Sequence, residues 1–557
     1  MSTRPLGVVH GYGLAGAGSN LWTRAVVRAL CQTGRDVHLV CQESSPEKYD
    51  VVGAAVEYDD AGEPTELFRR ETPYAGTCTL HRPKLNVLPT YVRPRKKSEY
   101  VFYIPDLEDG PIEEYVERNA RVLSRIGPEV VGFVVNHTVL CSVACQRAKE
   151  RTGTPFAILP HGSAIEYVVK KDERMRKAAE SALQAADAVY ALNGEMEGRF
   201  RDVFADVPGL MEKVERMPVG VDTAQFDPAP RDGRAARIEG LAGLLDGLDR
   251  GRTPQQRQGL IGRLEKATAN GAEPSDADLY ALLHQDDYPS SAPDADAEEL
   301  LAAFDWDEAN VTLYIGRLIA AKGIPAVVAA MPIIAAEVPN ARFVIGGTGG
   351  LREAMEALVW ALATGRRKLA RQIVQAGGLL EAGGLDGDAE GKPERAPFML
   401  TAAHFDRLES EGRLDAYFQM AEDHLQPEHV VFGGFMDHGP LSALYAVADV
   451  GLFPSVVREA SPLVVPEAAA SGTFPIGVDH GGMGDSLRIL GEALPEEARP
   501  LLLARYDAHG VEDLARNAVA VMQEPGQYAE ALRAAAVARY DWQAIATDLA
   551  ESLEALG

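Results

Sequence analysis

Short apolar runs alternate with segments of helical period along two long stretches of this chain. In the first stretch the apolar runs are residues 6–10, 37–41, 129–135, 156–159 and 188–192, and in the second they are 311–315, 343–345, 430–432, 450–453 and 474–478. Parallel strands need a crossover connection that is usually a helix, so this alternation is typical of parallel sheets. The pattern predicts an α/β chain with two Rossmann-like halves and a cleft between them.

The length of the chain favours two large domains, because 557 residues are too many for one hydrophobic core. We expect an N-terminal domain at 1–225 and a C-terminal domain at 226–540. Residues 228–303 are rich in Gly, Asp and Ala, and residues 352–427 are mostly helical in pattern. We interpret them as two insertions in the C-terminal domain, called the first and the second insertion, with the first partly flexible. Residues 43–110 show a less regular pattern.

Composition argues against several classes of function. The formal net charge of -27 disfavours binding to nucleic acid. Five cysteines at irregular spacing indicate reduced thiols in a cytoplasmic protein. The first residues lack the apolar core of a signal peptide, and no apolar run is long enough to span a membrane, so we expect neither feature. We see no metal-ligand pattern in the sequence, and we expect no metal and no cofactor.

Two carboxylates eight residues apart, Glu459 and Glu467, follow the apolar run 447–453. The pattern places Glu459 in a loop and Glu467 on an Ala-rich helix that ends at Gly472. A carboxylate accepts hydrogen bonds from two neighbouring hydroxyls, so this pair fits a ribose diol and a sugar hydroxyl. A structural role is the alternative, since glutamate is common near helix starts.

A glycine-rich turn follows the apolar run 6–10 and includes Gly16 and Gly18. We expect Ser19 and Asn20 to cap the helix that comes next. Such a turn lets backbone N–H groups approach an anion such as a diphosphate, although it can also be purely structural.

Two histidines follow predicted strands of the first stretch. His137 comes after residues 129–135, and His161 comes after residues 156–159. Each of them either contacts a ligand or satisfies backbone groups in a turn.

Taken in chain order, these motifs resemble those of the GT-B glycosyltransferases of the large retaining group called family 4, or group 1. The resemblance covers most of the chain outside the two insertions. The motifs that carry it are Gly16 to Asn20, Pro218 to Asp222 with Phe226, Gly316-Arg317-Leu318 with Lys322-Gly323, Leu441 to Asp449, and Glu459-x7-Glu467. It implies two Rossmann-like domains that face each other across a cleft, with the C-terminal helix 541–557 crossing back to the N-terminal domain.

The resemblance also implies a reaction. A hexose would move from a nucleoside diphosphate sugar, bound by the C-terminal domain, to an acceptor hydroxyl, with retention at the anomeric carbon. The acceptor, bound by the N-terminal domain, would be a small molecule, a glycan or a lipid-linked molecule. Glu467 would hold the ribose diol and Glu459 the donor sugar. Backbone groups of the following donor-binding residues would assist: Ser461, Pro462 and Leu463.

The catalytic residues implied by the resemblance are Glu459, two cations and a histidine. Arg317 and Lys322 would bind the diphosphate and stabilise the negative charge that builds on it, in place of a metal. His161 would face the donor sugar, and Gly16 and Gly18 would lie under the diphosphate.

This sequence departs from the family pattern at a few positions. Ala460-Ser461-Pro462 stands where the family often has a bulky residue and glycine, and Asp485 stands where glutamate is usual. Pro466 leaves two possible helix starts, one near Ser461 and one at Pro466 itself. The alternative functions are a non-hydrolysing sugar-nucleotide epimerase, which shares the fold and needs no acceptor, and a non-catalytic nucleotide-sugar-binding protein.

Overall fold

The computed structural model of the chain describes residues 4–16, 18–94, 98–381 and 396–557. The chain forms two compact units. Unit 1 comprises Met1–Gly220 and Ala538–Gly557, and unit 2 comprises Val221–Val537. Each unit contains one large sheet of mainly parallel strands connected through helices, which confirms the predicted α/β class.

Unit 1 contains the following elements. Its strands are β1 (Leu6–Val9), β2 (Val37–Val40), β3 (Val52–Tyr58), β4 (Pro64–Arg69), β5 (Cys78–Pro83), β6 (Leu88–Thr90), β7 (Val101–Tyr103), β8 (Phe133–Asn136), β9 (Phe156–Leu159), β10 (Ala188–Ala191) and β11 (Val214–Arg216). Its helices are α1 (Ser19–Gln32), α2 (Asp109–Ile126), α3 (Cys141–Thr152), α4 (Gly162–Ala164), α5 (Glu173–Ala185), α6 (Gly194–Val203) and the C-terminal helix Trp542–Leu556.

The large sheet of unit 1 has nine strands in the order β11-β10-β9-β8-β1-β2-β5-β3-β4. Neighbouring strands are parallel except β3 and β4, which are antiparallel. From β1 the chain builds the sheet first towards β2 and later, from β8 onward, in the opposite direction. The carboxyl ends of β1 and β8 therefore flank a topological switch point, where open α/β sheets bind ligands.

Residues 43–110, whose sequence pattern is less regular, hold the strands β3 to β7. The pattern is hard to recognise because β4 is a mostly exposed edge strand without an apolar face. Strands β6 and β7 have three residues each and, among the described residues, pair only with one another. Short or exposed strands carry little of the hydrophobic periodicity on which sequence prediction depends.

The hydrophobic core of unit 1 includes the C-terminal helix. Its apolar face contributes Ile545, Leu549 and Leu553 to the same buried cluster as Trp22 and Val26 of α1. Full burial of an aliphatic side chain of this size contributes about 1.5–3 kcal/mol to folding. The last residues of the sequence thus help to stabilise its first helix.

Unit 2 contains a six-stranded sheet and most of the helices. Its strands are β12 (Asn310–Ile315), β13 (Ala341–Gly346), β14 (Val430–Gly434), β15 (Val450–Phe453), β16 (Phe474–Val478) and β17 (Leu503–Ala504). Its helices are α7 (Arg234–Leu245), α8 (Pro254–Ala267), α9 (Asp276–Leu283), α10 (Ala297–Ala302), α11 (Ile324–Glu337), α12 (Arg352–Ala363), α13 (Arg367–Ala376), α14 (Met399–Ser410), α15 (Leu414–His424), α16 (His438–Val447), α17 (Val464–Ala470), α18 (Gly481–Gly491), α19 (Gly510–Met522) and α20 (Ala529–Tyr540), which spans the boundary to unit 1.

The sheet of unit 2 is parallel throughout, in the order β14-β13-β12-β15-β16-β17. Its switch point lies between β12 and β15, so the loops after these two strands meet at one edge. The first insertion contains α7 to α10 and the second contains α12 to α15. Residues 382–395 of the second insertion lie outside the described residues.

Candidate active site

A pocket of about 200 Å³ lies in unit 2 at the carboxyl ends of β12 and β15. Residues of the turn before α11 and of the loop between β15 and α17 line it. The lining includes five residues predicted for catalysis or donor binding, which are Lys322, Glu459, Ser461, Pro462 and Leu463. The fold therefore brings together two segments that are more than a hundred residues apart in the sequence.

An ion pair stands in this pocket. The Lys322 ammonium donates a hydrogen bond to Glu459 Oε1. The Ser455 hydroxyl donates to the same oxygen at 2.8 Å. The side chains of Lys322 and Glu459 are 26% and 16% exposed, so water is largely kept from the pair and its attraction is stronger than on an open surface.

Backbone contacts hold the two loops of the pocket against each other. The Val456 N–H donates to the Ala321 carbonyl at 3.0 Å. Gly323, directly after Lys322, has a φ of +72°, and a Cβ there would lie 1.8 Å from the carbonyl oxygen of Pro454. Glycine is required here both for the left-handed backbone and for the close approach of the loops.

Glu467 lies on α17 and is 5% exposed. The Tyr445 hydroxyl donates to its Oε2 at 3.1 Å, and His438 Nε2 lies 3.2 Å from its Oε1. Burial, together with the charge of Glu467, raises the pKa of Tyr445 well above its ordinary value, so this hydroxyl remains a donor. The carboxylate is thus fixed in place, and its remaining lone pairs can accept hydrogen bonds from a diol.

The helix that carries Glu467 begins at neither of the two expected positions. Helix α17 begins at Val464, with Leu463 as the capping residue. Pro466 is its third residue, where a backbone N–H has no partner within the helix, so the proline costs no hydrogen bond. This corrects the expected start near Ser461 or at Pro466.

Arg317 follows the pocket residue Gly316, and its side chain is exposed. Its carbonyl oxygen accepts a hydrogen bond of 3.1 Å from the Tyr314 hydroxyl. Burial raises the pKa of Tyr314 far above its ordinary value, which keeps that donor protonated. The backbone at Arg317 is therefore fixed, while its long side chain extends into solvent. Its role in binding a diphosphate stays a prediction.

Three histidines gather at the switch point of unit 1. His10 follows β1, His137 follows β8 and His161 follows β9. The ring centroids of His137 and His161 are 4.7 Å apart, and those of His10 and His137 are 6.4 Å apart. Burial lowers the pKa of His10 to about 4 and that of His161 to about 3, and it lowers the pKa of His137 well below 6.5. All three rings are therefore neutral at pH 7.

The hydrogen bonds of Asn136 determine the tautomer of His161. The amide nitrogen of Asn136 donates to Thr23 Oγ1 at 3.1 Å and to the Val9 carbonyl at 3.3 Å. Its oxygen lies 2.6 Å from His161 Nε2, which must then carry the proton. His161 Nδ1 is left as a hydrogen-bond acceptor.

Gly16 and Gly18 both have a positive φ, of +109° and +64°. Gly18 occupies the capping position of α1, and the helix begins at Ser19. The expectation that Ser19 and Asn20 cap this helix was therefore wrong. The Asn20 side chain instead donates to the Ala15 carbonyl, and its oxygen lies 3.2 Å from His10 Nε2. The roles predicted for the two glycines stay predictions.

Sequence reasoning missed several residues that position the predicted ones. Ser455 is not among the predicted residues, although it stands four residues before Glu459. Tyr445 and His438 belong to a helix more than twenty residues before Glu467, and no local pattern links them to it. Spacing could have indicated Ser455, whereas the other two follow only from the packing of α16 beside α17.

The described residues contain neither a cluster of metal ligands nor a membrane-spanning helix. Within residues 4–16, 18–94, 98–381 and 396–557, no group of three or more His, Cys, Asp or Glu side chains is arranged to hold a metal ion. In the same part of the chain, no helix has both the length and the apolar character needed to cross a membrane.

Comparisons with known proteins agree with this architecture. Residues 410–490, which include Glu459 and Glu467, match the sequence model described as glycosyl transferases group 1. No curated protein matches the chain. Sucrose-phosphate synthase from Thermosynechococcus elongatus is a structural neighbour with 16% identity and a TM-score of 0.51, covering 99% of each chain. The catalytic domain of starch synthase IV from Arabidopsis thaliana, bound to ADP and acarbose, is 13% identical with a TM-score of 0.51, covering 100% of this chain and 99% of that one. Anabaena HepE in complex with UDP is 12% identical with a TM-score of 0.50, covering 99% and 100%.

At such low identities the structural likeness identifies the fold alone. That fold is the two-domain α/β fold called GT-B, as the motifs predicted. The sequence match covers the segment with both glutamates and supports a transferase as the class of activity. The chain therefore combines a GT-B fold with a segment at its candidate active site that matches the group 1 glycosyl transferase model.

Proposed function

We propose that this chain is a retaining glycosyltransferase that moves a hexose from a nucleoside diphosphate sugar to an acceptor hydroxyl. The observation that carries the proposal is the pocket at the switch point of unit 2, where Lys322 and Glu459 form an ion pair. Glu467 stands on the helix that begins beside this pocket. One cation and two carboxylates match the charges and hydroxyls of a nucleotide sugar.

Each group in unit 2 has a part in donor binding. The ribose hydroxyls donate to Glu467, which Tyr445 and His438 hold in position. The hexose hydroxyls donate to Glu459. Lys322, together with the exposed Arg317, binds the diphosphate, so that no metal is needed to neutralise it.

The reaction transfers one glycosyl group. The bond between the anomeric carbon and the phosphate oxygen breaks, and its electron pair leaves with the diphosphate. The acceptor oxygen forms the new bond on the same face of the sugar, and its proton passes to the departing phosphate oxygen. Fixed cations beside that phosphate stabilise the growing negative charge, which lowers the barrier.

Unit 1 supplies the acceptor side and His161. Because His161 is neutral with a free Nδ1, it accepts a hydrogen bond from a sugar hydroxyl without adding charge to the site. Gly16 and Gly18 supply backbone with no side chain for close approach to a phosphate. The acceptor is a small molecule, a glycan or a lipid-linked molecule, and the transfer takes place in the cytoplasm without a cofactor.

A panel of UDP-, GDP- and ADP-hexoses tests the proposal. Thermal shifts select the donor, and release of nucleoside diphosphate is then measured with and without a panel of acceptors. A transferase releases diphosphate in step with glycosylated acceptor, an epimerase converts the donor alone, and a binding protein shifts the melting temperature without turnover. NMR of the product gives the anomeric configuration, and inversion would contradict the retaining mechanism.

The variant Arg317→Ala provides the matched mutational test. Loss of a cation at the leaving group is expected to lower kcat by about tenfold or more. Unchanged turnover in this variant would contradict the role given to Arg317 and weaken the transferase proposal. EDTA is expected to leave the rate unchanged. Inhibition by EDTA that added Mg²⁺ reverses would contradict a metal-free mechanism.

A further inference from the structure

The second insertion contacts the pocket loop that carries Lys322. Glu381 directly follows the short 3-10 turn Gly378–Leu380, which comes after α13. Its Oε2 accepts a hydrogen bond of 3.1 Å from the backbone N–H of Ala320. Ala320 begins the short 3-10 turn Ala320–Lys322, and Lys322 ends it.

Contacts within unit 2 hold Glu381 in place. The carbonyl of Leu380 accepts a hydrogen bond of 2.9 Å from His284 Nε2, at the end of α9. The Gly378 N–H donates to the Ala396 carbonyl at 3.0 Å. Gly377 has a φ of +57°, and a Cβ there would lie 1.9 Å from the same carbonyl oxygen. The turn that precedes Glu381 is therefore fixed by His284 of the first insertion and by Ala396 of the second.

The second insertion is also connected to the other loop of the pocket, through Met399 and Tyr506. Met399 Sδ lies 3.2 Å from the Tyr506 hydroxyl, which donates to the Val456 carbonyl at 2.7 Å. The Tyr506 ring stacks on His480 with centroids 4.2 Å apart. Val456 belongs to the loop that carries Glu459. Two residues of the second insertion thus connect to the two loops that form the Lys322–Glu459 pair, Glu381 directly and Met399 through Tyr506.

We propose that Glu381 of the second insertion is a positioning residue of the donor site that acts through Lys322. This inference rests on the proposed function, since it assumes that Lys322 binds a diphosphate. Glu381 contacts the backbone N–H of Ala320, two residues before Lys322. It fixes the first residue of the turn, and thereby the direction in which Lys322 leaves the backbone.

The physical basis is the position of the Ala320 N–H at the start of the turn. The first N–H groups of a helical turn have no partner within it, and a carboxylate that accepts from one of them forms a charge-assisted bond. Without Glu381 the first residue of this short turn loses a partner, whereas Ala321 keeps its hydrogen bond from the Val456 N–H. The start of the turn is then less well fixed, the Lys322 ammonium is spread over more positions, and its contact with a diphosphate weakens.

Binding measurements on variants test the inference. In Glu381→Ala we expect the Kd for the preferred nucleoside diphosphate to rise about tenfold, the loss of one charge-assisted hydrogen bond. The Kd for the matching nucleoside, which lacks phosphate, is expected to change less than about twofold. Glu381→Gln keeps an oxygen acceptor and is expected to recover most of the lost affinity. The control is Glu409→Ala, which removes an exposed carboxylate of the same insertion that pairs with Arg371, and it is expected to bind as the wild type does.

The possible outcomes separate this inference from the proposed function. If the wild-type chain binds no nucleoside diphosphate, the proposed function fails. If it binds one and Glu381→Ala binds it equally well, the inference alone is overturned. If Glu381→Ala loses affinity for nucleoside and nucleoside diphosphate alike, Glu381 has only a structural role and the inference is again overturned. In a Lys322→Ala background the Glu381→Ala change is expected to have no further effect on diphosphate affinity, and an additive loss would contradict action through Lys322.

Discussion

At the scale of single residues, the pocket of unit 2 depends on the charge of Lys322. Removal of this ammonium leaves the Glu459 carboxylate with only the Ser455 hydroxyl on the shared oxygen. It also removes positive charge from the expected position of the departing phosphate. Lys322→Ala is therefore expected to lower kcat by about 10²–10³, as the loss of a preorganised group does elsewhere.

Lys322→Arg serves as the comparison for this prediction, because it keeps the charge and changes the geometry. We expect an intermediate rate of nucleoside diphosphate release from it, with a melting temperature close to that of the wild type. A Lys322→Ala protein that is folded and releases diphosphate at the wild-type rate would remove Lys322 from the mechanism.

His161 gives a second prediction at this scale. Burial lowers its pKa to about 3, so the ring stays neutral from pH 5 to pH 9. The pH profile of kcat/KM is therefore expected to show no inflection near 6.5, the ordinary pKa of histidine. Asn136→Asp places a carboxylate against His161 Nε2 and raises its pKa. Activity of this variant is expected to fall as the pH falls through the raised pKa, since the neutral ring is the working form. An inflection near 6.5 in the wild type would contradict the assignment.

At the scale of elements, the approach of two loops depends on a glycine. Gly323 has a φ of +72°, and an added Cβ would lie 1.8 Å from the Pro454 carbonyl oxygen. Gly412 has a φ of +69° with open space around its Cβ position, which makes it a matched control. Gly412→Ala is expected to cost about 1 kcal/mol of stability, the cost of a left-handed alanine.

Gly323→Ala is expected to cost about 1–3 kcal/mol more than Gly412→Ala, because it adds a clash with backbone to the same conformational cost. It also separates Lys322 from Glu459, so the KM for the donor is expected to rise in this variant alone. Urea unfolding and steady-state kinetics measure the two effects. Equal stability losses in the two variants would show that the loops are not in close contact at Gly323.

The elements also show which parts of the structure the sequence could predict. The buried strands β1, β8, β12 and β15 are largely apolar, and they can be recognised in the sequence because both faces of these strands lie in the core. The edge strand β4 has no such run and was missed. The residues predicted in the pocket lie at the ends of apolar runs. Other contacts could not be predicted, because Glu381, Tyr445 and Tyr506 meet Ala320, Glu467 and Val456 through packing between distant segments.

At the scale of the whole molecule, buried histidines are unevenly distributed between the two units. All five histidines of unit 1 have a pKa lowered by burial, namely His10, His38, His81, His137 and His161. In unit 2 the same direction of shift is resolved for His404 and His429. A histidine with a lowered folded pKa binds its proton more readily in the unfolded chain. Stability is therefore full above pH 6.5 and is lost as the pH falls from 6.5 towards the folded pKa.

Mild acid is accordingly expected to destabilise unit 1 more than unit 2. With folded pKa values of about 4 for His10 and about 3 for His81, each ring costs about 2 kcal/mol at pH 5. The Asp and Glu side chains titrate mainly below this window, and the fall in net negative charge relieves repulsion generally.

Hydrogen exchange read by mass spectrometry at pH 7 and pH 5, with exchange times scaled for the pH dependence of the chemical step, compares the units. We expect protection in α1 and β8 to fall by several kcal/mol more than protection in α11 and β15. In His10→Gln the number of protons that unit 1 takes up on unfolding is expected to decrease by up to one. Equal losses of protection in both units of the wild type would contradict the prediction.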